Sequence, residues 1–428
     1  MKRELTLKEF ILPYNHSQLT VYLPESYQVD FLLPEPLDVP MDTNALFINA
    51  FAEPVGRVQP LQADPNLRVG IAINDKTRPV SNPHPVTYLL SYLDSLGFIP
   101  EQIALFLGSG THKPMTAEEL NLILDQETIE KYTIFAHDCD ISPMAQLGTT
   151  SYGTPISVNK DYYGCDLKFA VGNIEPHHFM GFSGGVKTAA IGLASRKTVN
   201  VNHAMLTNDL TRSGLYSVNP MRQDIEEIGR KMGIQYALGT ILNEDKQVLR
   251  AFFGEPKAVM QTAIPSVRQM FTMPVQEPYD LVIASPGGYP KDINLYQAQK
   301  GLTHAAQITR DNGIVLLLAG CEEGSGSPSY ETYITQITSH QEVIDQFHNG
   351  FFKVGPHKAY QIAKDALRVM VILISEIRPE TVREWKLTPS QPDKLDALLE
   401  WLATQLPDNA RVAILPAATR TMTEIQNA

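Results

Sequence analysis

The sequence predicts an α/β protein of two domains, each with a mainly parallel sheet, and an active site in the interdomain cleft. Three observations predict it. Short, nearly continuous apolar runs recur along the chain and end in glycine-rich, polar residues; such runs are strands buried on both faces of a parallel sheet. Stretches of helical spacing separate them. The series is interrupted once, by a helix and Pro-rich connector at about residues 255–278, and 428 residues suit about two to three domains. The expected division is therefore 1–272, carrying most of the polar strand ends, and 278–428, with the last residues packing back on the first domain.

Taken in order, the first 60 residues open with the alternating stretch "LTVYLPESYQVDFL", expected to be antiparallel, before a proline-rich segment. Leu67 to Asp75 ("LRVGIAIND") is the first buried strand, and "VTYLLSYLDSLG" is a helix closed by glycine. "QIALFLGSGTHK" is the second strand. "TAEELNLIL" reads as a helix with a Thr cap and early acids. "LKFAVGNIEPHH" is the third strand. Beyond the connector come strand "YDLVIASPGG", helix "NLYQAQKGLTHAAQIT" and strand "GIVLLLAGCEEG". Helices around "YETYITQITSHQEVIDQF" and "HKAYQIAKDAL" follow, then strand "RVMVILIS", helix "PDKLDALLEWLATQL" and strand "ARVAILP". Sheets of this doubly wound kind bind ligands beyond the carboxyl ends of their strands.

A net charge of −12 with no basic block argues against nucleic acid and for a small-molecule task. No window holds 18 consecutive apolar residues, so no membrane span is expected. "MKRELTLKEF" has no apolar run behind its basic residues, so no signal peptide is expected. Cys139, Cys165 and Cys321 are scattered and form no C-x-x-C pair, which suits the reducing cytoplasm and no cysteine-built metal site.

Four clusters carry the chemistry: "NDKTRP" (74–79), "GSGTHKP" (108–114), "GNIEPHHFMGFSGGVKT" (172–188) running on to His203, and "GGYPKDINLYQAQKG" (287–301). Each has a plainer reading. Asp75 and Arg78 could be a structural ion pair, His112 a polar loop residue, His203 a structural helix histidine, and Gln297 with Lys300 a solvated helix face. Their coincidence at strand ends favours a common site. Arg78 and Lys300 suit a carboxylate or phosphate. His112 and His177 titrate near neutrality and can exchange protons with a hydroxyl. The "GFSGG" turn suits an anion ahead of a helix. Lys187 opens that helix, where the dipole and burial favour a neutral, nucleophilic amine.

"GFSGGVKT" is not a P-loop: Val186 stands where that motif needs glycine. A nucleotide-binding protein or kinase using this loop is the alternative reading, weakened by that misregister and by the lack of a Mg²⁺-binding acid motif. A dehydrogenase lacks its G-x-G-x-x-G. A zinc hydrolase using His177, His178 and His203 lacks H-E-x-x-H. A non-catalytic interaction protein has no need of reactive residues gathered at strand ends.

The set "DKTRP", "GSGTHKPMT", "EPHHFMGFSGGVK", "NHAML" and "GGYP…NLYQAQKG" resembles the nickel-dependent lactate racemase family, in order and over nearly the whole chain. His177 lies ten residues before Lys187, and His203 sixteen after it. The resemblance implies a nickel pincer nucleotide, a pyridinium mononucleotide with thioamide and thiocarboxylate arms, joined covalently to Lys187. Its sulfur, carbon and sulfur donors hold Ni²⁺, and His203 completes a square-planar set. It also implies a 2-hydroxy acid substrate and proton-coupled hydride transfer, with His112 and His177 as the two acid–base groups. Asp75, Thr77, Arg78, Ser183 and Gly184 would hold the cofactor. Arg78, Tyr296, Gln297 and Lys300 would hold the substrate carboxylate. Cofactor-synthesis enzymes are the implied loading partners. In "GPHKAYQ" (355–361), His357 stands about where lactate-type members carry tryptophan, so His357 and Lys358 would accept a polar or acidic tail; the plainer reading is that both cap a surface helix.

Overall fold

The computed structural model describes residues 6–426. They form two compact units: residues 36–270, and the residues up to Glu35 together with those from Phe271 onward. Each has its own parallel α/β sheet.

In the unit of residues 36–270, six strands run in the order Val248–Gly254, Tyr236–Leu242, Leu167–Asn173, Val69–Asn74, Ile103–Gly108 and Thr133–Ala136. The first pair is antiparallel and the others are parallel. Val69 to Ile73 are all buried, as an all-apolar central strand requires. Helix Pro85–Ser95 covers one face. Proline opens it, and His84 Nδ1 caps it by accepting the Val86 N–H at 3.0 Å. Its Val86, Leu89, Leu90 and Leu93 turn one stripe into a core shared with Ile71, Leu105 and Phe169. Register brings the strand ends together: Asn74 lies opposite Gly108, and Asn173 opposite Thr240. The loops that leave these ends therefore start side by side.

The expected helix in "TAEELNLIL" is a turn with a single 3₁₀ segment, Leu120–Leu122, and the α-helix begins only at Gln126. Glu119 turns its carboxylate back to the Thr116 N–H at 3.1 Å, half of a capping box. Ile123 and Leu124 are both buried beneath this turn. Asp125 then caps the next helix through the Thr128 N–H at 2.7 Å.

In the other unit six strands run all parallel, in the order Thr388–Ser390, Met370–Ile374, Thr309–Leu318, Tyr279–Ala284, Arg411–Leu415 and Gln28–Phe31. Residues 6–35 thus belong with those from Phe271 onward, where the sequence suggested one domain over 1–272. Gln28–Phe31 supplies an edge strand, and Tyr279 O–H donates to Asp30 at 2.7 Å. The antiparallel hairpin Leu7–Tyr14/Ser17–Pro24 buries Leu12, Val21 and Leu23 in the core of Leu281, Ile283 and Leu399. The last strand, Met422–Ile425, pairs with Thr272–Val275 of the same unit. No helix among the described residues is long and apolar enough to cross a membrane.

Candidate active site

The loop after strand Val69–Asn74 turns Asp75 inward until it is 3 % exposed. One carboxylate oxygen meets His112 Nδ1 at 2.9 Å, and the other accepts the Thr77 hydroxyl at 2.5 Å and the Thr77 N–H at 3.1 Å. Burial pushes the Asp75 carboxyl up, but the bonds from His112 and Thr77 outweigh it, and its pKa lies below the ordinary value. An ionised carboxylate only accepts, so Nδ1 of His112 carries a proton and Nε2 is left for other partners. Asp75 and Thr77, expected on a cofactor, are thus engaged with His112. A side-chain ion pair of Asp75 with Arg78 does not form; the contact between them is the Arg78 N–H to the Asp75 carbonyl at 3.2 Å.

The glycine turn follows strand Leu167–Asn173. Gly181 has φ +74° and a Cβ there would sit 1.8 Å from the Leu215 carbonyl oxygen; Gly184 has φ +83° and a Cβ would sit 2.7 Å from Ile174 Cγ1. Only glycine fits either place. The turn is clamped from behind by Arg222, which is fully buried. Its guanidinium donates to the carbonyls of Phe182 (2.9 Å) and Gly184 (3.1 Å) and pairs with Glu226 at 2.7 and 2.9 Å. Glu226 also accepts the Tyr216 hydroxyl, and Asn219 donates to the Phe179 carbonyl. The Ser183 N–H, expected to face an anion, is taken by the Glu175 carbonyl at 2.8 Å. The Ser183 hydroxyl is buried without a hydrogen-bond partner.

Lys187 opens a helical segment of only four residues, Lys187–Ala190, and is buried. Its pKa lies well below that of an ordinary lysine, chiefly through burial, then through the charges of Arg78 and Arg222; Glu175 opposes them. The neutral form of the amine is thereby favoured. His203 lies in the last turn of helix Arg196–Ala204, which Ser195 caps. Burial, with Lys187 and Arg78 nearby, lowers its pKa to about 3, so the imidazole is also neutral. Its Nδ1 is buried and makes no hydrogen bond. The preceding Asn202 is pinned to Asp224 at 2.8 Å and to the Met221 carbonyl at 3.0 Å, which fixes this turn.

Asp75, Arg78, His112, Ser183, Gly184, Lys187 and His203 line one pocket, together with Ser109 and Glu175. Thr77 and His177 lie outside the lining. His177 stacks on His178 at 4.7 Å, and Phe179 is edge-on to both His177 (4.6 Å) and His203 (5.3 Å), so one aromatic cluster links the two histidines. His177, His178 and His203 do not converge as ligands of one ion; among the described residues that spacing occurs at Asp138, Cys139 and Asp140. Three buried polar atoms of the pocket, Ser109 Oγ, Ser183 Oγ and His203 Nδ1, have no partner in the protein. Burying such atoms unpaired costs about 1–3 kcal/mol each, so the pocket is built for a polar ligand. Its donor set, an amine of depressed pKa and a neutral imidazole, fits a carbonyl-derived tether and a metal that takes imidazole, nickel among them.

Tyr296, Gln297, Lys300 and His357 gather in the other unit. The first three occupy the opening turns of helix Leu295–Ile308, capped by Asn294, and Lys300 Nζ donates to Gln297 at 2.7 Å. The His357 ring is edge-on to Tyr296 at 5.9 Å. His357 and Lys358 are both buried, 7 % and 2 % exposed, so the surface-cap reading does not hold. Sequence reasoning missed Arg222, Glu226, Asn219 and Ser109. "NPMRQDIEE" shows Arg222 and Glu226 at i, i+4, which reads as an exposed helix pair; nothing in the pattern says that it is buried.

Family models for the lactate racemase N-terminal and C-terminal domains match residues 14–214 and 275–422. The chain is 26 % identical over 416 residues to a lactate racemase of Thermoanaerobacterium thermosaccharolyticum, covering 95 % of this chain and 96 % of that one. It is 30 % identical over 280 residues to a lactate racemase of Lactiplantibacillus plantarum, covering 64 % and 65 %. The solved lactate racemase apoprotein from T. thermosaccharolyticum has the same fold, with a TM-score of 0.87 at 24 % identity over 97 % of this chain and all of that one. A protein from Thermotoga maritima is more distant, with a TM-score of 0.62 at 18 % identity over 92 % of this chain and all of that one.

Proposed function

The chain belongs to the lactate racemase family and is an isomerase of the racemase kind, and from that premise we propose that it inverts the C2 stereocentre of a 2-hydroxy acid with a nickel pincer nucleotide tethered to Lys187. The observation that carries this reading is the one pocket holding a buried lysine amine of depressed pKa, a neutral histidine and three buried polar atoms without partners. Lys187 would hold the group covalently, His203 would ligate its nickel, and Arg78 with the Ser109 and Ser183 hydroxyls would take its polar arms. When bound, the group supplies a reversible acceptor for the hydride of C2.

The chain's own residues supply the rest. His112, oriented by Asp75, takes the 2-hydroxyl proton of one enantiomer at Nε2. Loss of that proton and of the C2 hydride leaves a planar 2-oxo acid. His177 serves the hydroxyl of the opposite enantiomer, so that each direction has its own acid and base. Arg78 holds the carboxylate, fixing C1 while C2 inverts. Loading requires cofactor-synthesis enzymes. The three cysteines are unpaired, which suits the cytoplasm.

The test is mass spectrometry of the chain co-expressed with cofactor-synthesis enzymes. A nickel-containing adduct on Lys187 is expected. Unmodified Lys187 together with tight ATP binding would overturn the proposal in favour of the nucleotide-binding alternative.

A further inference from the structure

Two carboxylates line the pocket of Lys187, those of Asp75 and Glu175. Asp75 has both oxygens engaged, one by His112 and one by Thr77. Glu175 has neither engaged: among the described residues its side chain meets no hydrogen-bond donor and no ion-pair partner. Glu175 follows the carboxyl end of strand Leu167–Asn173, and its carbonyl accepts the Ser183 N–H at 2.8 Å. Pro176 pairs with Phe182 and His177 with Gly181, so the two arms of the glycine turn are zipped together just beyond it. From Ser183 the chain needs one turn to reach Lys187, whose N–H is bonded to the Gly184 carbonyl at 3.3 Å. Glu175 and Lys187 thus stand on either side of this neck and line the same pocket.

An acid is out of place here if the pocket has only to keep an amine neutral. The Glu175 charge works against burial, Arg78 and Arg222, and favours the ammonium form of Lys187. It also repels an anionic ligand, which Arg78 in the same lining attracts. A glutamine of the same size would fill the place without either cost. What a carboxylate adds is a proton acceptor. Attack by a neutral amine leaves a surplus proton on nitrogen, and the other basic groups of the lining are committed. Asp75 is bonded on both oxygens, His112 is held to Asp75 through Nδ1, and His203 is reserved for nickel in the racemase reading.

We propose that Glu175 is the general base for acylation of Lys187, the step that joins the cofactor to the chain. The Lys187 nitrogen bonds to an acyl or thioacyl carbon, and the bond from that carbon to its leaving group breaks. The proton lost by Nζ passes to Glu175 and on to the leaving group. The carboxylate ends as it began, and nothing is oxidised or reduced. The proposal rests on the reading of Lys187 as the tether and adds the group that lets the tether form.

Acylation of the unloaded, full-length protein by the S-phenyl thioester of nicotinic acid, followed by peptide mapping, tests it. This donor transfers one pyridine acyl group and releases benzenethiol. Carbamoylation by cyanate is the control, because isocyanic acid brings its own proton to the product and has no leaving group. Lys187 is expected to be acylated, and Glu175→Gln to slow that step by at least about tenfold. Carbamoylation of Lys187 in the same variant should stay level or quicken, and Glu175→Asp should recover part of the lost acylation. A purely electrostatic Glu175 predicts the opposite sign, since removing its charge favours the free amine and speeds both reactions. No acylation of Lys187 in the unaltered protein, or acylation as fast or faster in Glu175→Gln, overturns the proposal. Equal slowing of both reagents in Glu175→Gln and Glu175→Ala also overturns it, because that marks a disturbed pocket. So does slowing in His112→Ala with none in Glu175→Gln. When cofactor-synthesis enzymes are co-expressed, an undiminished nickel adduct in Glu175→Gln sinks this inference and leaves the tether standing. Thioester acylation that depends on Glu175, with no adduct formed on co-expression, sinks the cofactor reading and leaves Glu175 as the base of Lys187.

Discussion

His112 depends on Asp75 for its tautomer, and that dependence is measurable. Asp75→Asn keeps the shape but offers an amide in place of a carboxylate, so racemisation by the loaded enzyme should fall about 10²-fold with little change in KM. His112→Ala and His177→Ala should each cost at least as much; activity that survives both changes would remove the acid–base assignment. Lys187 gives a second test at this scale. Because its pKa is depressed, its labelling by cyanate, followed from about pH 7 to about pH 11, should level off at a lower pH than that of ordinary lysines. Peptide mapping across that range reads the difference. The residue types of the pocket were legible in the sequence because they sit at polar strand ends. The pairing of Asp75 with His112 was not, since 37 residues separate them and only the strand register makes them neighbours.

At the scale of the element, the glycine turn and the helix beginning at Pro220 work as one device. The turn cannot hold its own carbonyls, and Arg222 does so from below. Arg222→Met leaves Glu226 buried without its cation and two carbonyls unbonded, and should destabilise the protein by about 3–5 kcal/mol. Urea unfolding measures this; a loss under 1 kcal/mol would show that the clamp is ornamental. Most strands and helices were readable from apolar runs and caps. "TAEELNLIL" was not, because its Thr and acids form a cap signature that closes only a short turn, and Asp125 caps the next helix afresh. The "GFSGGVKT" turn was recognisable as an unusual glycine turn, yet its support comes from a helix about 40 residues later, whose Arg–Glu spacing is shared by countless surface helices.

For the whole molecule, pH is the broadest probe. His84 caps helix Pro85–Ser95 as a neutral acceptor, and burial lowers its pKa to about 4 against the pull of Asp125. The unfolded chain takes up that proton near pH 6.5, so the unfolded state binds more protons between pH 6.5 and 4. Stability is full above 6.5 and falls as pH drops through this window. His84→Asn keeps a cap acceptor without the titration and should flatten that part of the pH–stability curve; denaturant midpoints at pH 7 and 4.5 decide it. The two-domain α/β class was legible because buried strands advertise themselves. The membership of the first 35 residues was not: an alternating hairpin shows that it has an inner face, but not which core receives it.

Strand Gln28–Phe31 is paired with Arg411–Leu415, and that pairing sets a timetable for biosynthesis. The strand leaves the ribosome about 380 residues before its partner, roughly 20–80 s at ordinary elongation rates. Residues 36–270 can close their own sheet in that interval, while the earlier strand waits with an open edge. Asp30, placed in the middle of that edge, is the kind of charge that discourages stray pairing until Tyr279 receives it. A strand made early thus waits on one made late.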